Sequence, residues 1–425
     1  MTDVPRSDAA TTPAPAGSPD LPDLDEFLVD QTRTLLDTAR RSVRPEGGFW
    51  WLTDDRTPDR GEPIHTWITC RMTHVAALAH RNGDPDAAAL VDHGIAALST
   101  LLRDDRYGGW FGAVDQQEVP VNDRKAGYDH AFVLLAASSA ARAGRPGADR
   151  LLADVLTVVR DRFWDDDAGA VRESWNRDWT VTEDYRGANS SMHMVEAFLA
   201  AAAAAAAATG DASWADRALR IATHLVHGEA ARHDWRLPEH FTTDWTPLPD
   251  YNRDQPADPF RPYGSTIGHW LEWARLLLEL EAVLPQPPRW LLTDARALFA
   301  AAVRRGWAVD GADGFVYTID WDDRPVVRSR MHWVLAEAIG AAITLHRRTG
   351  DTVYLDWYRV FWAYARRSLI DQTGWRHELD AQNLPADTVW HGRPDVYHAY
   401  QAVLLSRAAD GLGGPGPLAP GEVTA

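Results

Sequence analysis

Apolar residues recur at helical spacing in paired blocks along most of the chain, and polar, turn-forming clusters separate the blocks. This pattern predicts twelve helices, alternating between an outer and an inner layer. The first outer helix covers 23–41. An inner helix over 64–81 follows, stopped by Asn82-Gly83, and then an outer one over 85–103 that opens on a proline. The pairs continue with 124–142 inside and 147–163 outside, 188–209 inside and 212–232 outside, and 263–284 inside and 289–306 outside. They end with 328–349 inside, 352–369 outside and 394–409 inside. The alanine-rich run 198–208 lies within one of these inner helices. Alanine has the best helix propensity and allows close approach of neighbours. The run is too short to span a bilayer.

A short pattern of turn, glycine and aromatic recurs between the pairs. Its markers are Gly48, Gly109, Gly169, Trp235, Gly314 and Gly374, spaced by 61, 60, 66, 79 and 60 residues. A fixed period of this length is the signature of a repeat architecture, and each step holds one αα-hairpin. Six such units predict an all-α fold, an (α/α)6 barrel, with short β-ribbons in the inter-helix loops at the pocket face. The first turns of the six inner helices then converge at one end. The longer segment 241–262, rich in Pro and Asp, is expected to form a rim or lid there.

The rhythm makes 23–410 one catalytic domain, with a disordered N-terminal tail over 1–22 and a flexible C-terminal tail over 411–425. The N-terminal segment lacks the basic start and apolar core of a signal peptide. A net charge of −18 disfavours nucleic acid or an anionic membrane as partner. The single cysteine, Cys70, excludes an intramolecular disulfide framework and fits a cytoplasmic, reducing compartment. Twenty tryptophans are unusual; they suit both a large helical core and the apolar faces of sugars.

Polar and titratable residues gather at one depth on the six inner helices. They are His65, Trp67 and Arg71 on the first, Tyr128, Asp129 and His130 on the second, and Asn189, His193 and Glu196 on the third. His269 and Glu272 follow on the fourth, Arg330, His332, Trp333 and Glu337 on the fifth, and Tyr397, His398 and Gln401 on the sixth. Burying such groups without partners costs a few kcal/mol each, roughly, so their concentration points to a wet, functional cavity. Spacings of three and four put His193 with Glu196 and His269 with Glu272 on shared faces, where a Glu can orient an imidazole. The positive end of a helix dipole disfavours imidazolium, keeping such a histidine ready to accept a proton. Taken singly, His74, His80, His93, His224, His227 and His346 read as ordinary core or surface histidines. No HExxH pattern, phosphate loop or dinucleotide fingerprint occurs, so neither metal nor cofactor is expected. A glycoside hydrolase using two carboxylates among Asp129, Glu183, Glu239 and Glu272, or a non-catalytic sugar-binding protein, remain open on this reading.

The segments His65-Thr66-Trp67-Ile68-Thr69-Cys70-Arg71, Ala188 to Ala197, Gly268-His269-Trp270-Leu271-Glu272-Trp273, His332 to Glu337 and Asp395-Val396-Tyr397-His398-Ala399-Tyr400-Gln401 resemble the N-acylglucosamine 2-epimerase family. The resemblance extends over about 23–410. Its last segment is closer to the branch that isomerises D-mannose or a sulfonated hexose than to the cellobiose-epimerising branch. The resemblance implies metal-free interconversion of an aldose, D-mannose foremost and D-lyxose second, with its 2-ketose, or alternatively with its 2-epimer. It implies His269 and His398 as acid and base, and Trp67, Arg71, Tyr128, Asn189, His193, Glu196, Glu272, Trp333 and Glu337 around the sugar. Glu272 is implied to lie beside His269, and Arg261 or Arg393 would be the cations for a sulfonate. The expected partner is a monosaccharide, with the protein a monomer or homodimer.

Overall fold

The structure, a computed structural model, describes residues 12–15, 19–208 and 213–407, the side chains of 205–208 excepted. The tail expected over 411–425, the end of the last helix, the stop at 209–210 and most of the segment 1–22 fall outside these residues. Within that first segment, Ala14 and Leu21 pack against the core, and Trp357 Nε1 donates to the Thr12 carbonyl at 2.8 Å.

Twelve α-helices occur among the described residues. The outer set is α1 (Leu24–Arg41), α3 (Ala87–Ser99), α5 (Ala148–Val158), α7 (Ser213–Ala222), α9 (Trp290–Gly306) and α11 (Thr352–Tyr364). The inner set is α2 (Thr66–Arg81), α4 (Gly127–Arg142), α6 (Ala188–Ala208), α8 (Ile267–Val283), α10 (His332–Thr349) and α12 (Tyr397–Arg407). The inner helices touch in ring order, and α12 returns to α2, which closes an (α/α)6 barrel. Sequence explains the layering. The outer helices are amphipathic: α11 buries Tyr354, Trp357, Tyr358, Phe361 and Trp362, one face at spacings of three and four. The inner helices are apolar or small all round, and α2 is buried at every residue from Thr66 to Ala79. Short π-helical segments extend α5, α7 and α11 (Val159–Phe163, Thr223–Ala230, Ala365–Leu369).

The six repeat markers all sit at left-handed φ, between 64° and 113°, which explains why five of them are glycine. A second sixfold signal lies nearby. In six tight turns the side-chain oxygen of Thr53, Asp115, Asn176, Thr242, Asp320 or Asp380 accepts the backbone N–H four residues on. In each, a non-glycine residue adopts positive φ (Arg56, Glu118, Trp179, Trp245, Asp323, Asn383). Proline stands five residues after the capping residue in every copy except the Asn176 turn, which has Val181.

These turns fasten the helix starts. The two residues before α2, α4, α6, α8 and α10 form short strands that pair with the connection of the next unit, for example Lys125 with Trp175 and Gly187 with His240. The sixth connection closes the circle, Arg393 N donating to Leu52 O at 2.7 Å. The strands account for one difference from the sequence reading. Helices α2, α4, α8 and α10 begin two to four residues later than spacing predicts, because the two residues before each pair as strand; α12 begins three residues late without a lead-in strand. No described helix is long and apolar enough to cross a membrane.

Candidate active site

The first residue of five inner helices donates its backbone N–H to a carbonyl on the next connection. The pairs are Thr66 to Gly112, Gly127 to Glu173, Ala188 to Glu239, Ile267 to Tyr317 and His332 to His377. Each acceptor lies three residues before its turn-capping residue. The pairing seats the side chains at this register position against the open ends of the inner helices.

A cavity of about 670 Å³ opens at this end of the ring. Of the residues expected around it, Trp67, Arg71, Tyr128, Asn189, His193, His269, Glu272, Trp333 and His398 line it. Glu196 and Glu337 do not; they are buried beneath the wall. The wall also includes Asp395, Tyr317, His332 and His377, and Phe260 and Trp390 cover the mouth with their rings 5.2 Å apart. Phe260 belongs to the segment expected as a rim. Beyond it lies a wider vestibule of about 1310 Å³.

His269 and His398 flank Trp333, with ring centroids 5.4 and 5.6 Å from it. Each is held from behind by a carboxylate. His398 Nδ1 lies 2.8 Å from Glu337 Oε1, and Glu337 Oε2 accepts from Arg275 Nε at 2.9 Å. His269 Nδ1 lies 2.9 Å from Glu239 Oε2, while Glu239 Oε1 accepts the Thr266 N–H at 3.0 Å, at the start of α8. A carboxylate only accepts, so both imidazoles carry their proton on Nδ1 and leave Nε2 free to take another. The expected orienting partner of His269, Glu272, makes no such bond; Glu239, thirty residues earlier, takes that role. Spacing along α8 puts Glu272 on a neighbouring face, but the His269 ring turns toward the adjoining connection. Glu196 likewise lies 3.7 Å from His193 Nδ1 and instead receives the Tyr397 hydroxyl and the Gln401 amide.

Arg71 donates to Asp395 Oδ2 at 2.9 Å and to the Tyr128 hydroxyl at 3.0 Å, and its guanidinium lies over Phe132 at 4.5 Å. Burial alone would favour its neutral form, but Tyr128 and Asp395 outweigh that and hold it firmly charged. Burial pulls His398 well below the ordinary histidine range, and the charge of Arg71 adds to this. Burial also lowers His193 and His332 to about 4. His332 stacks on His377 at 3.7 Å between centroids, with its Nε2 unpartnered. These depressed values follow chiefly from burial. Two clusters, His193–Glu196–Glu272 and Glu272–Glu337–His398, have ligand atoms close enough for a metal ion, but Arg275 already occupies the space among their carboxylates.

Tyr317 and His377 were missed from sequence, and Glu239 was named there only as a candidate hydrolase carboxylate, not as the partner of His269. They share one position, three residues before Thr242, Asp320 and Asp380, so the second repeat is the signal that points to them.

The N-acylglucosamine 2-epimerase (GlcNAc 2-epimerase) family profile matches residues 47–402. A D-mannose isomerase of Thermobifida fusca is 57% identical over 382 residues, 89% of this chain and 93% of that protein. A D-mannose isomerase of Pseudomonas cannabina pv. alisalensis is 51% identical over 386 residues, 89% of this chain and 92% of that protein. The crystal structure of a D-mannose isomerase superposes with a TM-score of 0.84 at 28% identity, covering 91% of this chain and 99% of that one.

Proposed function

The chain belongs to the N-acylglucosamine 2-epimerase family, and on that premise we propose that it is an aldose–ketose isomerase that converts D-mannose to D-fructose. Two imidazoles, each backed by a carboxylate and facing one cavity beside a buried arginine, are the observation that carries this reading.

The chemistry follows from that arrangement. Ring opening needs a proton donor and acceptor near the ring oxygen and the anomeric hydroxyl, a role suited to His269. The C2 proton, made acidic by the C1 carbonyl of the open aldose, passes to Nε2 of His398. A buried imidazole that is neutral at pH 7 can act as that base, and catalysis of this kind supplies about 10²–10⁴-fold. The cis-enediolate then carries charge on O1 and O2. Arg71, oriented by Asp395 and Tyr128, stabilises that charge. Return of the proton from His398 to C1 yields the ketose. D-Lyxose, which lacks C6 but shares the reacting end, is the second substrate.

The wall favours an uncharged sugar. Arg261 is bound to Glu183 at 2.8 and 3.1 Å, and Arg393 pairs with Asp371 at 3.3 Å and lies outside the cavity wall. The one arginine lining the cavity, Arg71, is paired with Asp395, which leaves no free cation there for a sulfonate among the described residues. A hydrolase reading is also weakened: of its four candidate carboxylates, Glu239 is engaged by His269 and Glu183 by Arg261. Incubation with mannose in D2O tests the proposal. Fructose is expected, with deuterium at C1 in the fraction of turnovers in which the proton held by His398 exchanges with solvent before its return; absence of both fructose and label from mannose would overturn it.

A further inference from the structure

Glu272 is fully buried on α8 at the cavity wall, and neither of its carboxyl oxygens has a hydrogen-bond partner. Each neighbouring carboxyl group has at least one donor, although His193 Nδ1, Arg275 Nη2 and Glu279 Oε2 are also without a hydrogen bond and His193 Nδ1 stands 3.7 Å from Glu272. Glu337 accepts from Arg275 and His398, Glu196 from Tyr397 and Gln401, and Glu279 from Arg275 at 2.8 Å. One guanidinium thus stands among four carboxyl groups, and its Nη2 is 3.8 Å from Glu272 and 3.9 Å from Glu196, outside hydrogen-bond range of either. An ionised carboxylate with no donor, buried beside like charges, is an arrangement that proteins avoid by taking up a proton.

We propose that Glu272 works as a neutral carboxylic acid whose O–H donates a hydrogen bond to an oxygen of the bound sugar. This rests on the sugar-isomerase reading of the cavity. The groups facing it are Arg71 on α2, Tyr128 on α4, His193 and Glu196 on α6, Arg275 on α8, Glu337 on α10, and Tyr397 and His398 on α12. Burial pushes the carboxyl up most, Glu337 and Glu196 add to it, and Arg275 and Arg71 oppose it. The two arginines are each already bound to another carboxylate, which limits what they return to Glu272. A neutral donor also fits the reaction. Its hydrogen bond strengthens as charge grows on the enediolate, whereas a carboxylate at the same place would repel that charge.

Infrared spectroscopy of the free protein tests the protonation state without any substrate. Carboxylic-acid C=O absorption is expected in wild type at pH 7 beyond that of Asp129, resolved in an Asp129→Asn background, and this component is lost when Glu272→Gln is added. Absence of this component from the Asp129→Asn protein overturns the proposal whether or not the Glu272 variant folds, as does a Gln difference spectrum that shows only a carboxylate pair lost. Kinetics test the donation. Glu272→Ala is expected to lower kcat/KM for mannose by about 10²-fold or more. Glu272→Gln, whose amide also donates, should recover most of that loss and hold its activity further into alkaline pH than the wild type. A folded Gln variant as inactive as Ala overturns the donor role. A wild type that converts no aldose would overturn the functional reading instead, with the infrared band still deciding the proton.

Discussion

Glu239→Gln is the sharpest test of how His269 is held. The two oxygens of Glu239 have separate tasks, one toward His269 Nδ1 at 2.9 Å and one toward the Thr266 N–H at 3.0 Å. Glutamine keeps the shape but has a single accepting oxygen. If that oxygen stays with Thr266, the amide NH2 faces Nδ1 and forces the imidazole proton onto Nε2. The cavity-facing nitrogen then no longer accepts a proton. If the oxygen turns to Nδ1, the buried Thr266 N–H loses its acceptor, at a cost of about 1–3 kcal/mol. In both cases the charge that stabilises the imidazolium formed during turnover is gone. A hydrogen bond to a charged group contributes about 1.5–3 kcal/mol, and about 1.4 kcal/mol is a factor of ten in rate. The expected fall in kcat is therefore about 10- to 200-fold, with KM changed by less than about threefold, since the interaction matters chiefly in the transition state. The assay is steady-state fructose formation from mannose, with thermal melting to confirm that the variant is folded at the assay temperature. A folded variant with kcat within about twofold of wild type would refute the role of Glu239, and so would a loss confined to KM.

Gly268→Ala should disturb both histidines at once, because a Cβ there would come within 2.3 Å of the Trp333 ring and 2.8 Å of Val334. A destabilisation of about 1–3 kcal/mol is expected in urea unfolding, with a fall in kcat/KM in the protein that remains folded; wild-type values for both would show that the Trp333 wall yields freely. Asp129 is buried without an ion pair among the described residues, and burial raises its carboxyl from 3.8 to about 8. Between these values the folded chain binds a proton that the unfolded chain does not, so this group's contribution to stability falls as pH rises toward about 8. The stability advantage of Asp129→Asn over wild type should grow across that window and level off above it; a pH-independent difference in unfolding free energy would contradict this. Cys70 is fully buried, and burial pushes its thiol well up. Thiol reagents should label it no faster than the chain unfolds, and rapid labelling of the native protein would be incompatible with this packing.

The layering was legible in the chain because it is a local property. The spacing of Tyr354, Trp357, Tyr358 and Phe361 places them on one face wherever the helix sits, and the period of the glycine markers counts the units. The turn-capping series from Thr53 to Asp380 was equally present but harder to see. Its cap varies among Thr, Asp and Asn, which all offer the same accepting oxygen, and its left-handed residue is never glycine. Reading residue type rather than hydrogen-bonding capacity hid the series, and with it Tyr317, His377 and the pairing of Glu239 with His269.

The resemblance to a known family singled out His269, His398 and Arg71; what the spacing along the chain determined was the number of helical units, the end at which they open, and the ring of polar residues set there. Local periodicity carries that information. The carboxylate that meets each imidazole was decided only by tertiary structure. His269 turns to Glu239 across thirty residues and His398 to Glu337 across sixty-one, while the nearer Glu272 is left without a partner. Helical spacing relates residues on one helix. A contact between the end of one unit and the start of another depends on how the ring closes, and no periodicity along the chain encodes it.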